Sequence, residues 1–233
     1  MARINPITEM VGQREKLAMP EYERKLDASM RELSRSLRTD VLDAFSTQLL
    51  KRYEGGLTPD QKFRVLYDFR KARVARLISG AFFNHMGKRN GENAMIRGYE
   101  DSVLSLFRVT SHAAYDKEQR HVARIYGKAT GLDFRVSLTG RDKQRLNKIV
   151  VGGWSVRDYV RLVLKESYDR LTGRIRQAIM KEATTARMIM RMREEVRKVL
   201  DKLLKQLQGF QFELVTYAAN MANYDFVRAL QGV

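Results

Sequence analysis

The chain contains no cysteine. That excludes disulfides and thiolate metal sites, and it fits synthesis in a reducing cytoplasm. Proline is almost as scarce, three in 233 residues, and none interrupts the stretch from Ser155 to Leu207, so nothing there forces a helix to stop. Tryptophan occurs once, at Trp154. No apolar run approaches the ~20 residues that a membrane span needs, and the opening MARINPITEMVGQREKL holds none that would serve as a signal peptide. The expectation is a soluble protein made inside a cell, with no membrane partner.

Catalytic signatures are missing as well. There is no GxxxxGK[ST], no HExxH, no GxSxG, and no GxGxxG opening a helix after a strand. The three histidines, His85, His112 and His121, sit in unrelated contexts, and the nine-residue spacing of the last two does not put them on one helical face as a metal pair. Each reads as a structural or surface histidine. Carboxylate pairs such as Glu194-Glu195 lie amid arginines and read as ion-pair partners rather than as general acid and base. MIMRM, 188 to 192, reads as core or interface filling rather than a cofactor box. The expectation is a non-enzyme without cofactor or metal.

What is present is positive charge. Lys plus Arg number 44 against 27 Asp plus Glu, a net +17. Residues 1–50 carry 8 basic and 8 acidic side chains, residues 51–200 carry 33 and 16, and residues 201–233 carry 3 of each. The whole excess lies in the middle 150 residues, where self-repulsion opposes compaction unless a polyanion is near. Nucleic acid is the polyanion this pattern favours; a solvated basic surface is the plainer alternative.

The hydrophobic periodicity is helical nearly throughout and predicts an all-α fold: an elongated multi-helix assembly with one or two long helices, and at most a short extended segment near 132–138. Met30, Leu33, Leu37, Val41, Phe45 and Leu49 step by three and four, forming one helical stripe, and Gly55-Gly56 ends that helix. Thr58 as N-cap, Pro59 at the first position and Gln61 closing a capping box start the next. Its buried side is expected from Phe63, Leu66, Leu77, Ile78 and Phe82, and KRNG (88–91) closes it. A third helix is expected over 92–109, with Ile96, Tyr99, Val103 and Leu106 inward. A fourth is expected over 115–130, with Val122, Ile125 and Tyr126 inward and Gly131 as C-cap. LDFRVSL, 132–138, alone reads as strand; a single strand needs a partner, so it is either an extended linker or a small hairpin with a neighbouring molecule.

TGRDKQRLNKIVVGG reads as a short helix ending at Gly152-Gly153, after which Ser155 and Asp158 cap a new one. The glycine pair therefore marks a junction, and Gly152, Gly153, Trp154 and Ser155 are expected to pack it. A continuous helix from Ser155 to Leu207 would be ~80 Å long, against a diameter of ~45 Å for a compact chain of this size. It must project or break, with Gly173 and Thr184-Thr185 as weak points. A last helix follows an expected break at Gly209. The domain division read from this is 1–131, a connecting segment 132–153, and 154–233.

Two basic clusters are the candidate sites. RKARVAR offers Arg70, Arg73 and Arg76 roughly on one side. Residues 174–207 hold ten basic and four acidic side chains; Arg187, Arg191 and Lys198 share a face, with Arg174, Arg176, Lys181 and Arg197 close by. Long cationic side chains on helices meet phosphates without reading sequence, so all ten are candidate DNA-phosphate contacts. Val196, Leu200, Leu203, Leu207 and Phe210 step four, three, four, three, a coiled-coil-like seam that needs a partner helix in this chain or in another copy.

From Thr139 to Arg228 the sequence resembles the minor head, or head morphogenesis, proteins of tailed bacteriophages. The likeness rests on a Gly153-Trp154-Ser155 step into a long helix, a turn at Ala183-Thr184-Thr185, and ELVTYAANMANYDFVRAL as closing helix. It departs at Val215-Thr216-Tyr217, where the family usually has Arg-Thr-Glu. The resemblance implies a virion-interior protein, synthesised in the host bacterial cytoplasm, attached to the portal or inner capsid wall. There it would contact packaged double-stranded DNA non-specifically during head assembly or genome delivery. The charge split adds a reading of its own: the neutral ends dock on portal or capsid protein while the basic middle faces DNA, with self-association through helices. Alternatives are an ejection protein leaving with the genome, an assembly scaffold, or a nucleic-acid-binding helical protein unrelated to virions.

Overall fold

The computed structural model describes residues 20–53, 55–71, 74–83 and 99–231. The fold is all-α: α1 (Pro20–Arg35), a π-helical stretch Ser36–Asp43, α2 (Ala44–Arg52), α3 (Pro59–Lys71), α4 (Val74–Phe83), α5 (Tyr99–Thr130), α6 (Gly140–Leu146), a hairpin of β1 (Val150–Val151) and β2 (Trp154–Ser155), α7 (Val156–Lys181) and α8 (Thr185–Leu230). The chain divides into two compact units. One comprises the described residues of 26–103 with 159–206, the other 104–158 and 207–231 together with 20–25. Each is made of non-contiguous segments, whereas the division expected from sequence is linear.

In the first unit, all six stripe residues from Met30 to Leu49 are buried. The stripe crosses the π-helical stretch, where the adjacent Val41 and Leu42 are both buried. Phe45 meets Phe69 of α3, ring centroids 6.1 Å apart; burying such a ring contributes about 1.5–3 kcal/mol. The capping box forms as expected: Thr58 N donates to Gln61 Oε1 at 2.8 Å and Gln61 N to Thr58 Oγ1 at 3.3 Å. One expectation fails here. Phe63 is exposed and Leu66 and Leu77 only half-buried, because Val65, Phe69 and Val74 take the inward positions. KRNG and Ile96 lie outside the described residues.

The long helix breaks once, between Lys181 and Thr185. Thr184 caps α8 through the Arg187 amide, which donates to its Oγ1 at 3.3 Å. Thr185 Oγ1 donates to the carbonyls of Tyr53 and Gly55 at 3.1 and 3.2 Å, and Gly56 bridges Thr184. The threonine pair thus stitches the break to the 53–57 loop. Gly173 and Gly209 remain helical, and a Cβ at either would meet nothing within 4 Å. The expected breaks there do not occur, so the closing helix is simply the end of α8. The Val196–Phe210 seam is buried by the chain's own residues.

In the second unit, the third and fourth helices expected from sequence are one helix, α5. Phe107, Ala114, Tyr115 and Ala123 supply its buried side, while Ile125 is exposed and Leu106, Val122 and Tyr126 are half-buried. Phe107 meets Phe210 of α8 at 5.8 Å, and Phe226 receives both Tyr126 (5.4 Å) and Phe134 (5.6 Å). Residues 132–138 form no strand. The strands lie at the glycine pair instead: α6 ends at Leu146, and Val151 pairs with Trp154 across Gly152-Gly153. Both glycines have positive φ, 57° and 84°, the backbone that a two-residue type I′ hairpin demands. Ile149 and Val151 are the hairpin's buried side chains, whereas Trp154 is 45% exposed; the expected packing anchor is therefore a valine. Ser155 caps α7, with the Asp158 amide donating to its Oγ at 3.1 Å.

Candidate polyanion interface

In the first unit, six of the ten expected phosphate-contacting cations are already paired or have side chains outside the described residues. Lys198 Nζ lies 2.6 Å from Glu194, Arg191 reaches Glu194 and Glu195 at 3.0 Å each, and Arg174 approaches Glu195 at 3.9 Å. The Lys198 ammonium, first, holds the Glu194 carboxyl below its ordinary pKa. The shared outer face of Arg191 and Lys198 is thus an ion-pair network, with charges mostly cancelled. Lys181, Arg187 and Arg197 are exposed, and none has a carboxylate in ion-pairing distance among the described residues. Arg176 is half-buried, its Nε without a partner among the described residues. Arg70 and Arg76 lie on α3 and α4, but their side chains, like all of Arg73, fall outside the described residues. Arg193, not among the sequence candidates, pairs with Asp43 at 2.7 Å.

The second unit carries a groove that the sequence reading missed. Arg120, Arg124 and Lys128 lie four residues apart on α5, a single helical stripe, about 6 Å apart along the axis at 1.5 Å rise per residue. They form one wall of an open groove of about 580 Å³, and residues 132–136, with Arg135, form the other. Four cations face one lining carboxylate, Asp133. Arg135 reaches Asp133 only at 3.5 Å, both side chains being highly exposed; such a pair is worth little. Arg120 pairs with Asp116 at 2.9 Å on the surface. Arg124 donates to His121 Nδ1 at 3.2 Å, and Lys128 has no ion-pair partner among the described residues.

The groove is built by local chain geometry. Gly131, with φ 72°, turns the chain out of α5, and the Leu132 amide donates to Thr130 Oγ1 at 3.4 Å. A Cβ on Gly127 would stand 2.8 Å from the Leu132 carbonyl oxygen, so only glycine lets the extended segment lie this close to the helix. Phe134 then pins the segment against Phe226. The arrangement is a row of long, exposed guanidinium and ammonium groups beside an extended backbone, suited to phosphates and carrying no base-reading geometry. The sequence signal was the four-residue spacing of Arg120, Arg124 and Lys128, diluted there by His121 and Ile125.

Among the described residues no group of three or more His, Asp or Glu is placed to hold a metal ion, and no helix is long and apolar enough to cross a membrane. His112 faces Asn147 and His121 faces Arg124; His85 lies outside the described residues. Comparison with protein-family models, curated proteins and solved structures finds no match to this chain.

Proposed function

We propose that the protein is a non-enzymatic structural component of a tailed-bacteriophage particle, contacting packaged duplex DNA without sequence selectivity from a position near the portal or inner capsid wall. The observation that carries the DNA contact is the row of Arg120, Arg124, Lys128 and Arg135 in one groove, of which Arg124 and Lys128 have no ion pair among the described residues. Lys181, Arg187 and Arg197 add cations of the first unit that have no ion pair among the described residues. Cations of this kind bind by releasing counterions from the nucleic acid. The particle context rests on the resemblance of residues 139–228 to minor head proteins. Docking on portal or capsid protein is assigned to the C-terminal stretch, where three basic and three acidic residues balance and Phe212, Tyr217 and Tyr224 are exposed. Self-association is assigned to that same surface, since the seam of α8 is occupied within the chain.

The test is quantitative mass spectrometry of purified DNA-filled particles and of empty procapsids from the producing phage. A low, non-zero copy number retained in filled particles is expected. Loss on maturation would make the protein a scaffold, exit with the ejected genome an ejection protein, and absence from both particles would discard the virion role.

A further inference from the structure

A second cavity in the same unit as the groove involves neither of the cationic rows. It is a cleft of about 240 Å³ between α5, the end of α6 and the start of α7. Buried Phe107 and Leu146 line it on the apolar side, and Arg108, Ser111, Asn147 and Arg157 on the polar side. No carboxylate is among its lining residues. Other acids of this unit are engaged elsewhere: Asp158, next to Arg157, accepts from Ser155 Oγ at 2.6 Å, Asp142 from Thr139 Oγ1 at 2.6 Å, Asp116 pairs with Arg120, and Asp225 accepts from Tyr115 and Arg145. Among the described residues, neither Arg108 nor Arg157 has an ion-pair partner.

A histidine lies beside the cleft. His112 Nε2 lies 3.2 Å from Asn147 Oδ1, at the edge of the cleft. Burial, first, holds the His112 pKa below its ordinary value; hydrogen bonds to Asn147 and Lys143 oppose that, and the charges of Lys143 and Arg108 reinforce it. Ser111 Oγ donates to the Arg108 carbonyl at 2.9 Å, so its hydroxyl proton is already used.

We propose that this cleft binds a small phosphate monoester, Arg108 and Arg157 gripping the phosphate while Phe107 and Leu146 receive a compact apolar group. A phosphate monoester carries about −1.5 to −2 charges near pH 7, matching two guanidiniums. Guanidinium forks meet phosphate oxygens in paired hydrogen bonds. The cavity is smaller than the ~300–1,000 Å³ of sites for drug-sized ligands, which limits the ester to a compact one. Its source is either a free small molecule or the 5′-phosphate end of a nucleic-acid strand. The site shares no residue with the polyanion groove and does not depend on the proposed function.

The experiment titrates phenyl phosphate into the full-length protein and follows the His112 imidazole by NMR. A saturable shift is expected, with the His112 pKa rising because the bound anion neutralises its cationic neighbours. R108Q and R157Q should each weaken binding about tenfold or more by removing charge-assisted hydrogen bonds. R120Q, in the groove, should leave it unchanged, and benzoate should bind at least about tenfold more weakly, having one charge for two guanidiniums. Both cleft arginines are exposed, so their replacement should leave the fold intact, which circular dichroism of each variant checks. No saturable shift, equal binding of benzoate, or indifference to R108Q and R157Q would overturn the proposal. Competition by a 5′-phosphorylated oligonucleotide, but not by its 5′-hydroxyl counterpart, assigns the strand end as the source. Competition by neither assigns the free ester, and equal competition by both transfers the effect to the DNA-binding groove and overturns the cleft.

Discussion

Replacing Asp225 should unfold the second unit more readily than any surface substitution of a charged residue. Its carboxylate accepts the Tyr115 hydroxyl at 2.8 Å and both Arg145 guanidinium nitrogens at 3.0 and 3.2 Å. Three helices, α5, α6 and α8, meet at this one acid. In D225A the Tyr115 hydroxyl, on a side chain that is 1% exposed, loses its acceptor. Gln119 still donates to the tyrosine oxygen at 2.9 Å but offers its proton nothing. An unsatisfied buried polar group costs about 1–3 kcal/mol. Arg145 is 45% exposed, so water takes over much of its half of the contact, and the lost ion pair adds only about 0.2–1 kcal/mol. The sum, about 1–4 kcal/mol, is read by urea denaturation followed by circular dichroism. Y115F leaves the Asp225–Arg145 pair in place but removes two hydrogen bonds, Tyr115 to Asp225 and Gln119 to Tyr115, and should cost about 1–3 kcal/mol. In the double variant the two effects should fall short of additive, because both remove the same bond. A D225A protein within about 0.5 kcal/mol of wild type, the range of ordinary surface changes, would refute the reasoning.

Further outcomes follow from neighbouring features. Burial, then the hydrogen bond to Asp225 and its charge, raise the Tyr115 pKa above the ordinary 10.0. The neutral form is therefore favoured by folding. Because the unfolded tyrosine loses its proton first, folding costs progressively more as pH rises from the unfolded value toward the folded one. Alkaline melting curves should show a smaller fall for Y115F than for wild type. T58A removes the N-cap of α3 and should cost about 1 kcal/mol, measured by thermal melting, with T58S restoring most of it. G153V places a β-branched residue at φ 84°. It should destabilise the hairpin by about 1–3 kcal/mol, seen as faster amide exchange at Val151 and Trp154, the closing pair; unchanged exchange would contradict the type I′ assignment.

The legible parts of the fold were those written in local chemistry. The Met30–Leu49 stripe, the Thr58–Gln61 box and the Ser155 cap depend on residues three or four apart, and all stand in the structure. Errors arose where tertiary context decides. Gly209 carries a helix-breaking propensity of only about 1 kcal/mol, and α8 runs through it because Leu207, Phe210 and Leu214 around it are buried. The Lys181–Thr185 break persists because Thr185 has carbonyl partners 130 and 132 residues away. LDFRVSL has strand-like alternation without a partner strand, while Val150–Ser155 has the glycine pair that supplies one. Among the candidate contacts, composition pointed to residues 174–207, where Glu194 and Glu195 neutralise three of the cations. The groove at Arg120–Arg135 depends on Gly127 letting two segments approach, which charge counting along the chain does not weigh.

The most direct test of DNA contact is titration of fluorescent duplex DNA with the full-length protein over a series of salt concentrations. A linear fall of log affinity with log salt is expected, equal for unrelated sequences. The R120Q/R124Q/K128Q variant should show a slope shallower by about 2.7, three phosphates at ~0.9 each. A wild-type affinity that ignores salt or selects sequence, or a slope untouched by the three substitutions, would contradict DNA binding through this groove.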